Sequence, residues 1–115
     1  MLKGAYGENL ARSYLRKKNY RIVAKNYRCR LGEIDIVAQK RDLLVFVEVK
    51  TRVDNLFGEP FDSVTKEKQN RLCNLAENFV AHNGFTDMTL RFDVISILFN
   101  GRGKVHKFVH IENAF

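Results

Sequence analysis

The chain lacks any run of about 18 apolar residues, so nothing in it reads as a membrane-spanning helix. Its opening, MLKGAYGENLARSYLRKK, lacks the apolar core of a secretory signal, and the expected location is the cytoplasm. Cysteine is scarce. Cys29 and Cys73 lie far apart without the spacing of a metal site, and they read as free thiols rather than a disulfide. Proline occurs once, at Pro60, in TRVDNLFGEPFDS, which reads as a loop. No internal repeat or low-complexity tract is present. Acid is nearly missing from one region. Residues 1–30 carry Lys3, Arg12, Arg16, Lys17, Lys18, Arg21, Lys25, Arg28 and Arg30 against a single carboxylate, Glu8. The formal net charge of +7 is therefore an N-terminal excess. Such a patch suits a phosphate backbone or an acidic partner, although a solvated helix face would look the same.

With 115 residues, 45% hydrophobic and 29% charged, the sequence has room for one domain over 1–115 with a modest core. A helix is predicted over roughly 2–18, because Leu2, Tyr6, Leu10 and Tyr14 recur every fourth residue beside Ala11 and Leu15. Glu8 falls at the border of that stripe, where the simplest partner is Arg12, four residues on. YRIVAKNYRCR reads as a strand, and two more are predicted over 33–39 and 43–50, close enough for a hairpin. A second helix is predicted over 65–83, with Thr65 as N-cap, an apolar face of Leu72, Leu75, Ala76, Phe79 and Val80, and Asn83-Gly84 as the stop. MTLRFDVISILF and KVHKFVHI are strands around the turn NGRG. The expected class is α/β: a mixed sheet flanked by helices, in the order α-β-β-β-α-β-β.

Charges interrupt the strongest strands. In GEIDIVA, one face carries Ile34, Ile36 and Ala38 and the other Glu33, Asp35 and Val37. In LLVFVEVK, Val45, Val47 and Val49 share a face opposite Phe46, Glu48 and Lys50. Aligning the apolar faces pairs Ile34 with Val49, Ile36 with Val47 and Ala38 with Val45. That register sets Asp35 against Glu48 and Glu33 against Lys50. Opposed carboxylates destabilise a strand pair unless a proton, a lysine or a metal holds them. A surface salt-bridge ladder and a metal site both satisfy the pattern.

GEIDIVA followed by VFVEVKTR resembles the Asp…Glu-x-Lys signature of the restriction-endonuclease-like PD-(D/E)xK nucleases. More closely, GAYGENLARSYL, NYRCRLGEIDIVA, VFVEVKTR, FGEPFDSVTKEKQNRL, RFDVISI and HIENAF resemble the YraN family of small bacterial proteins, across nearly the whole chain. The layout is also similar to that of archaeal Holliday-junction resolvases. Ile34 stands where the superfamily's nominal pattern has proline. The resemblance implies a restriction-endonuclease-like fold and phosphodiester hydrolysis with Mg2+ or Mn2+. It implies that Asp35, Glu48 and the Val49 carbonyl ligate the metal, that Glu8 completes the site directly or through water, and that Lys50 orients the attacking water. DNA, including branched or damaged DNA, is the expected substrate.

Arg12, Arg16, Arg28 and Arg30 belong to the basic patch, and Arg52, Lys66 and Gln69 are further candidates for phosphate contact; Lys68 also sits in that first helical turn. Asp93 is expected to pair with Arg91 rather than to catalyse. His106 and His110, some 13 Å apart along a strand, cannot share an ion. Tyr20, Tyr27 and Phe57 are expected to pack rather than stack on bases. A homodimer would let two such sites act on two strands. The other readings of the chain are a nucleic-acid-binding module without turnover, and a structural or adaptor protein.

Overall fold

The structure, a computed structural model, describes residues 3–53 and 65–115. Phe57 and Pro60, and the expected first apolar residue Leu2, lie outside them. The elements follow the expected order: α1 (Lys3–Lys17), β1 (Arg21–Cys29), β2 (Gly32–Lys40), β3 (Leu43–Val53), α2 (Lys66–Asn83), β4 (Thr89–Phe99) and β5 (Val105–Ile111). The five strands form one sheet in sequence order. Neighbours are antiparallel except β3 and β4, which run parallel because α2 carries the chain back between them. Among the described residues, no helix is long and apolar enough to cross a membrane.

Each helix covers one face. Ala11 and Leu15 of α1 pack on Ile36, Ala38, Val45, Val47, Ile95, Ile97 and Phe99. On the other face, Leu72, Leu75, Ala76 and Phe79 of α2 pack on Val37, Leu44 and Phe46. The run Leu44–Val47 is fully buried because a sheet covered on both faces has no solvent side, so a continuous apolar segment fits it better than an alternating one. Helix α2 is closed at both ends as its sequence predicts. Thr65 accepts the Lys68 N–H at 3.1 Å, and Gly84 takes the left-handed conformation with φ 71°.

The central register is as expected, with Ile36 opposite Val47 and Ala38 opposite Val45. Beyond Ile36 and Val47 the expectation fails. β2 stays paired with β1 to the pair Cys29–Gly32, and β3 stays paired with β4 to Val53–Phe99, but β2 and β3 no longer pair with each other. The sheet forks. Ile34 leaves the face of Ile36 and Ala38 and joins the α2 cluster, 3% exposed. The cause is tertiary: the β1–β2 turn leans on α2, with Gly32 at φ 134° set against Leu75 and Arg71. Ile34 therefore does not face Val49, Asp35 does not pair with Glu48, and Glu33 does not face Lys50. Glu33 instead accepts from Arg28 at 2.7 Å. Strand β3 also runs further than predicted, taking in Thr51 and Arg52.

Candidate active site at the fork of the sheet

Where two strands part, backbone groups lose their partners and must find others. At this fork Asp35 fills the gap: its Oδ2 accepts the Val49 N–H at 2.7 Å. The carboxyl is half-buried. Burial pushes it up to about 6; the Val49 N–H opposes the rise, and the nearby charges of Glu8, Glu48 and Glu33 add to it. Asp35 is thus a half-buried carboxyl that no cation among the described residues bonds, in an acidic field.

Glu48, one residue past the last ladder pair, shares the α2 face with Phe46. Lys68 reaches it from α2, with Nζ 2.8 Å from Oε1 and 2.9 Å from Oε2. The Lys50 ammonium lies 3.9 Å from Oε2. Lys68 arrives there for a local reason. It sits one turn before Leu72 on the stripe that meets the sheet, and the Thr65 cap fixes that first turn. The helix stripe therefore signalled Lys68 at the cleft, yet the sequence reading put Lys66 and Gln69 first. Lys66 is exposed and Gln69 half-buried.

Asp35, Glu48 and Lys68 line a cleft of about 340 Å³ between the β1–β2 turn and α2. Ile34, Leu72 and Leu75 form its floor, and Arg30, Leu31, Glu33 and Arg71 its walls. Arg71 had escaped the sequence reading, because only the lean of the turn onto α2 brings it there. Of the other basic candidates, Arg28 is engaged by Glu33, while Arg12 and Arg16 line a shallow groove with Lys25 between α1 and β1. Arg52 lies further along β3, opposite Leu98.

Glu8 approaches from the opposite helix. α1 crosses β3 closely at Gly7, where a Cβ would overlap the Thr51 Cγ2. This approach presents Glu8 toward the fork, near enough for its charge to act on Asp35. Its Oε1 accepts from Asn26 at 3.2 Å, not from Arg12, which instead bonds Asn9. Among the described residues, no three His, Cys, Asp or Glu side chains converge tightly enough to cage an ion. Two carboxylates remain at the fork. That donor set fits Mg2+, which keeps several waters and commonly takes one or two carboxylates.

A second polar cluster centres on Asp93, whose backbone pairs with Val47 and which is not among the residues that line the cleft. Asp93, 1% exposed, accepts from Arg91 Nε at 2.9 Å, Arg91 Nη2 at 2.8 Å, and the Asn113 N–H at 3.0 Å. His110 Nε2 lies 2.7 Å from it, which leaves Nδ1 to accept the Tyr14 hydroxyl at 2.9 Å. Burial alone would raise the Asp93 carboxyl, but His110, Arg91 and the Asn113 N–H hold it below its ordinary value. The expected Asp93–Arg91 pair is present. His110 has a structural role, and His106 is exposed.

A forked mixed sheet, with one carboxylate buried in the fork and another clamped by lysines, defines a small α/β protein built around a charged cleft. The chain belongs to the family described as "Uncharacterised protein family UPF0102", whose model matches residues 7–97. This is the family read from the sequence as YraN. The chain is 45% identical to a UPF0102 protein of Pelotomaculum thermopropionicum, over 99% of this chain and 95% of the relative. It is 47% identical to one of Caldicellulosiruptor bescii, over 97% and 95%.

Proposed function

We propose that this protein is a divalent-metal-dependent nuclease that hydrolyses phosphodiester bonds in DNA, and that it belongs with the PD-(D/E)xK nucleases. The observation that carries the reading is the fork itself: it gathers Asp35, Glu48 and Lys68 at one cleft walled by arginines, with the Lys50 ammonium 3.9 Å from Glu48. A ladder of surface salt bridges would pair each acid with a base. Here, among the described residues, Asp35 bonds only a backbone N–H, and burial, with the charges of Glu8, Glu48 and Glu33, raises its pKa.

In this reading Asp35 and Glu48 hold Mg2+ or Mn2+, the Val49 carbonyl is a further ligand, and Glu8 acts through water. When bound, the metal supplies charge neutralisation at the scissile phosphate and a lowered pKa for water. Lys68 holds Glu48 in the meantime and is free to turn to a phosphate oxygen when the metal takes its place. Lys50, beside Glu48, orients the attacking water and stabilises charge developing on the phosphoryl oxygens. The groove of Arg12 and Arg16 binds the backbone.

The test is a cleavage assay with linear, flapped and four-way DNA in Mg2+ or Mn2+, beside Glu48→Ala and Lys50→Ala. The expected loss is about 100-fold or more for each, the scale of removing a group that stabilises the transition state. Cleavage that survives both substitutions would place the activity elsewhere.

A further inference from the structure

The cleft holds more than its carboxylates need. Beyond Asp35 and Glu48 its lining includes the largely buried Ile34, Leu72 and Leu75, whose edges form an apolar floor, and at its lip Leu31 is 38% exposed. Leu31 is flanked by Arg30 at the tip of the β1–β2 turn, and Arg71 stands across on α2. Neither arginine forms an ion pair among the described residues. Phosphate hydrolysis alone calls for no apolar floor and no exposed leucine.

We propose that this recess receives one unpaired nucleotide beside the scissile phosphate, so that the chain selects single-stranded or frayed DNA over intact duplex. The inference rests on the nuclease reading and names its substrate class. The recess, about 340 Å³, lies at the lower end of the roughly 300–1,000 Å³ range of small-ligand pockets, the size class of a single nucleotide. It is preformed, since Gly32 fixes the turn against Leu75 and Arg71. An apolar floor takes the face of a base, guanidinium planes stack on it, and an exposed leucine separates it from its neighbour. A duplex keeps its bases stacked inside and offers this recess only phosphates. To fill it, the duplex must first unstack and unpair a nucleotide.

Fluorescence anisotropy of the full chain, in EDTA, would compare a short labelled strand with the same sequence as duplex. The expected preference for the single strand is about tenfold or more, the scale of one stacked base. Leu31→Ser and Arg71→Ala, both at exposed positions, should reduce that ratio toward one while circular dichroism stays unchanged. Lys25→Ala, in the groove beside α1, should weaken both ligands alike and leave the ratio intact. Equal affinity for strand and duplex, or a ratio that both recess variants preserve, overturns the proposal. Cleavage assays with Mg2+ or Mn2+ separate it from the reading beneath it. Equal cleavage of strand and duplex removes the recess and leaves the nuclease. A strand preference lost in the recess variants, without any cleavage, keeps the recess and removes the nuclease.

Discussion

Asp35 shows what one misplaced charge costs and why it is kept. A carboxyl whose folded pKa of about 6 lies above its ordinary 3.8 holds its proton more tightly folded than unfolded. Stability therefore falls as pH rises from about 4 to about 6, and it stays lower above that window. Asp35→Asn keeps an oxygen for the Val49 N–H and removes the charge. At pH 7.5 it should stabilise the metal-free protein by about 1–3 kcal/mol, and the gain should vanish toward pH 4. Thermal denaturation across pH checks this. Adding Mg2+ should raise the melting temperature of the parent protein and leave Asp35→Asn unmoved, since a ligand stabilises only the state that binds it. A variant no more stable than its parent at pH 7.5 would mean that Asp35 is solvated or already paired.

At the scale of elements, the site depends on how closely α1 crosses β3. Gly7 permits that approach, because any Cβ there meets Thr51. Gly7→Ala should destabilise the fold by about 1–3 kcal/mol, the usual cost of overpacking, and lift Glu8 away from the fork. Thr51→Ser removes the methyl group in the way. The double variant should recover most of the lost stability, which chemical denaturation would show as strong coupling between the two positions. Additive losses would mean that the helix moves for another reason. The same scale explains what was readable in advance. The register around Ile36 and Ala38 was legible because alternation is a property of a single strand. The parting of β2 from β3 was not, because it depends on the grip of α2 on the turn at Gly32. Asp35 and Glu48 were found from their misplaced charge. Lys68 is marked in the sequence by its place one turn before Leu72 on the apolar stripe, whereas Arg71 reaches the cleft only because the β1–β2 turn leans on α2.

For the molecule as a whole, Asp93 is the joint. Its three partners belong to β4, β5 and the C-terminal segment, and His110 passes the link on to Tyr14 of α1. Arg91 also donates to Tyr20 at 2.8 Å, which ties in the start of β1. Asp93→Ala leaves the half-buried Arg91 guanidinium with Tyr20 and the exposed Glu112, 3.7 Å away, as its partners, and should cost about 3 kcal/mol, measurable as a lower denaturation midpoint. Activity per folded molecule should be unchanged, because none of the cluster's residues lines the cleft. A selective loss of turnover would instead assign Asp93 to the chemistry.

The sequence by itself determined the family, the order of elements, the central register and the presence of two carboxylates among strand residues. These follow from period, composition and local chemistry, which neighbouring residues settle among themselves. Only the tertiary structure decided that the sheet would fork at Asp35, that Lys68 would close on Glu48, and that the recess would have an apolar floor. Each of these comes from α2 packing against a turn some forty residues earlier in the chain, a competition between ladder bonds and side-chain burial that neither segment contains alone.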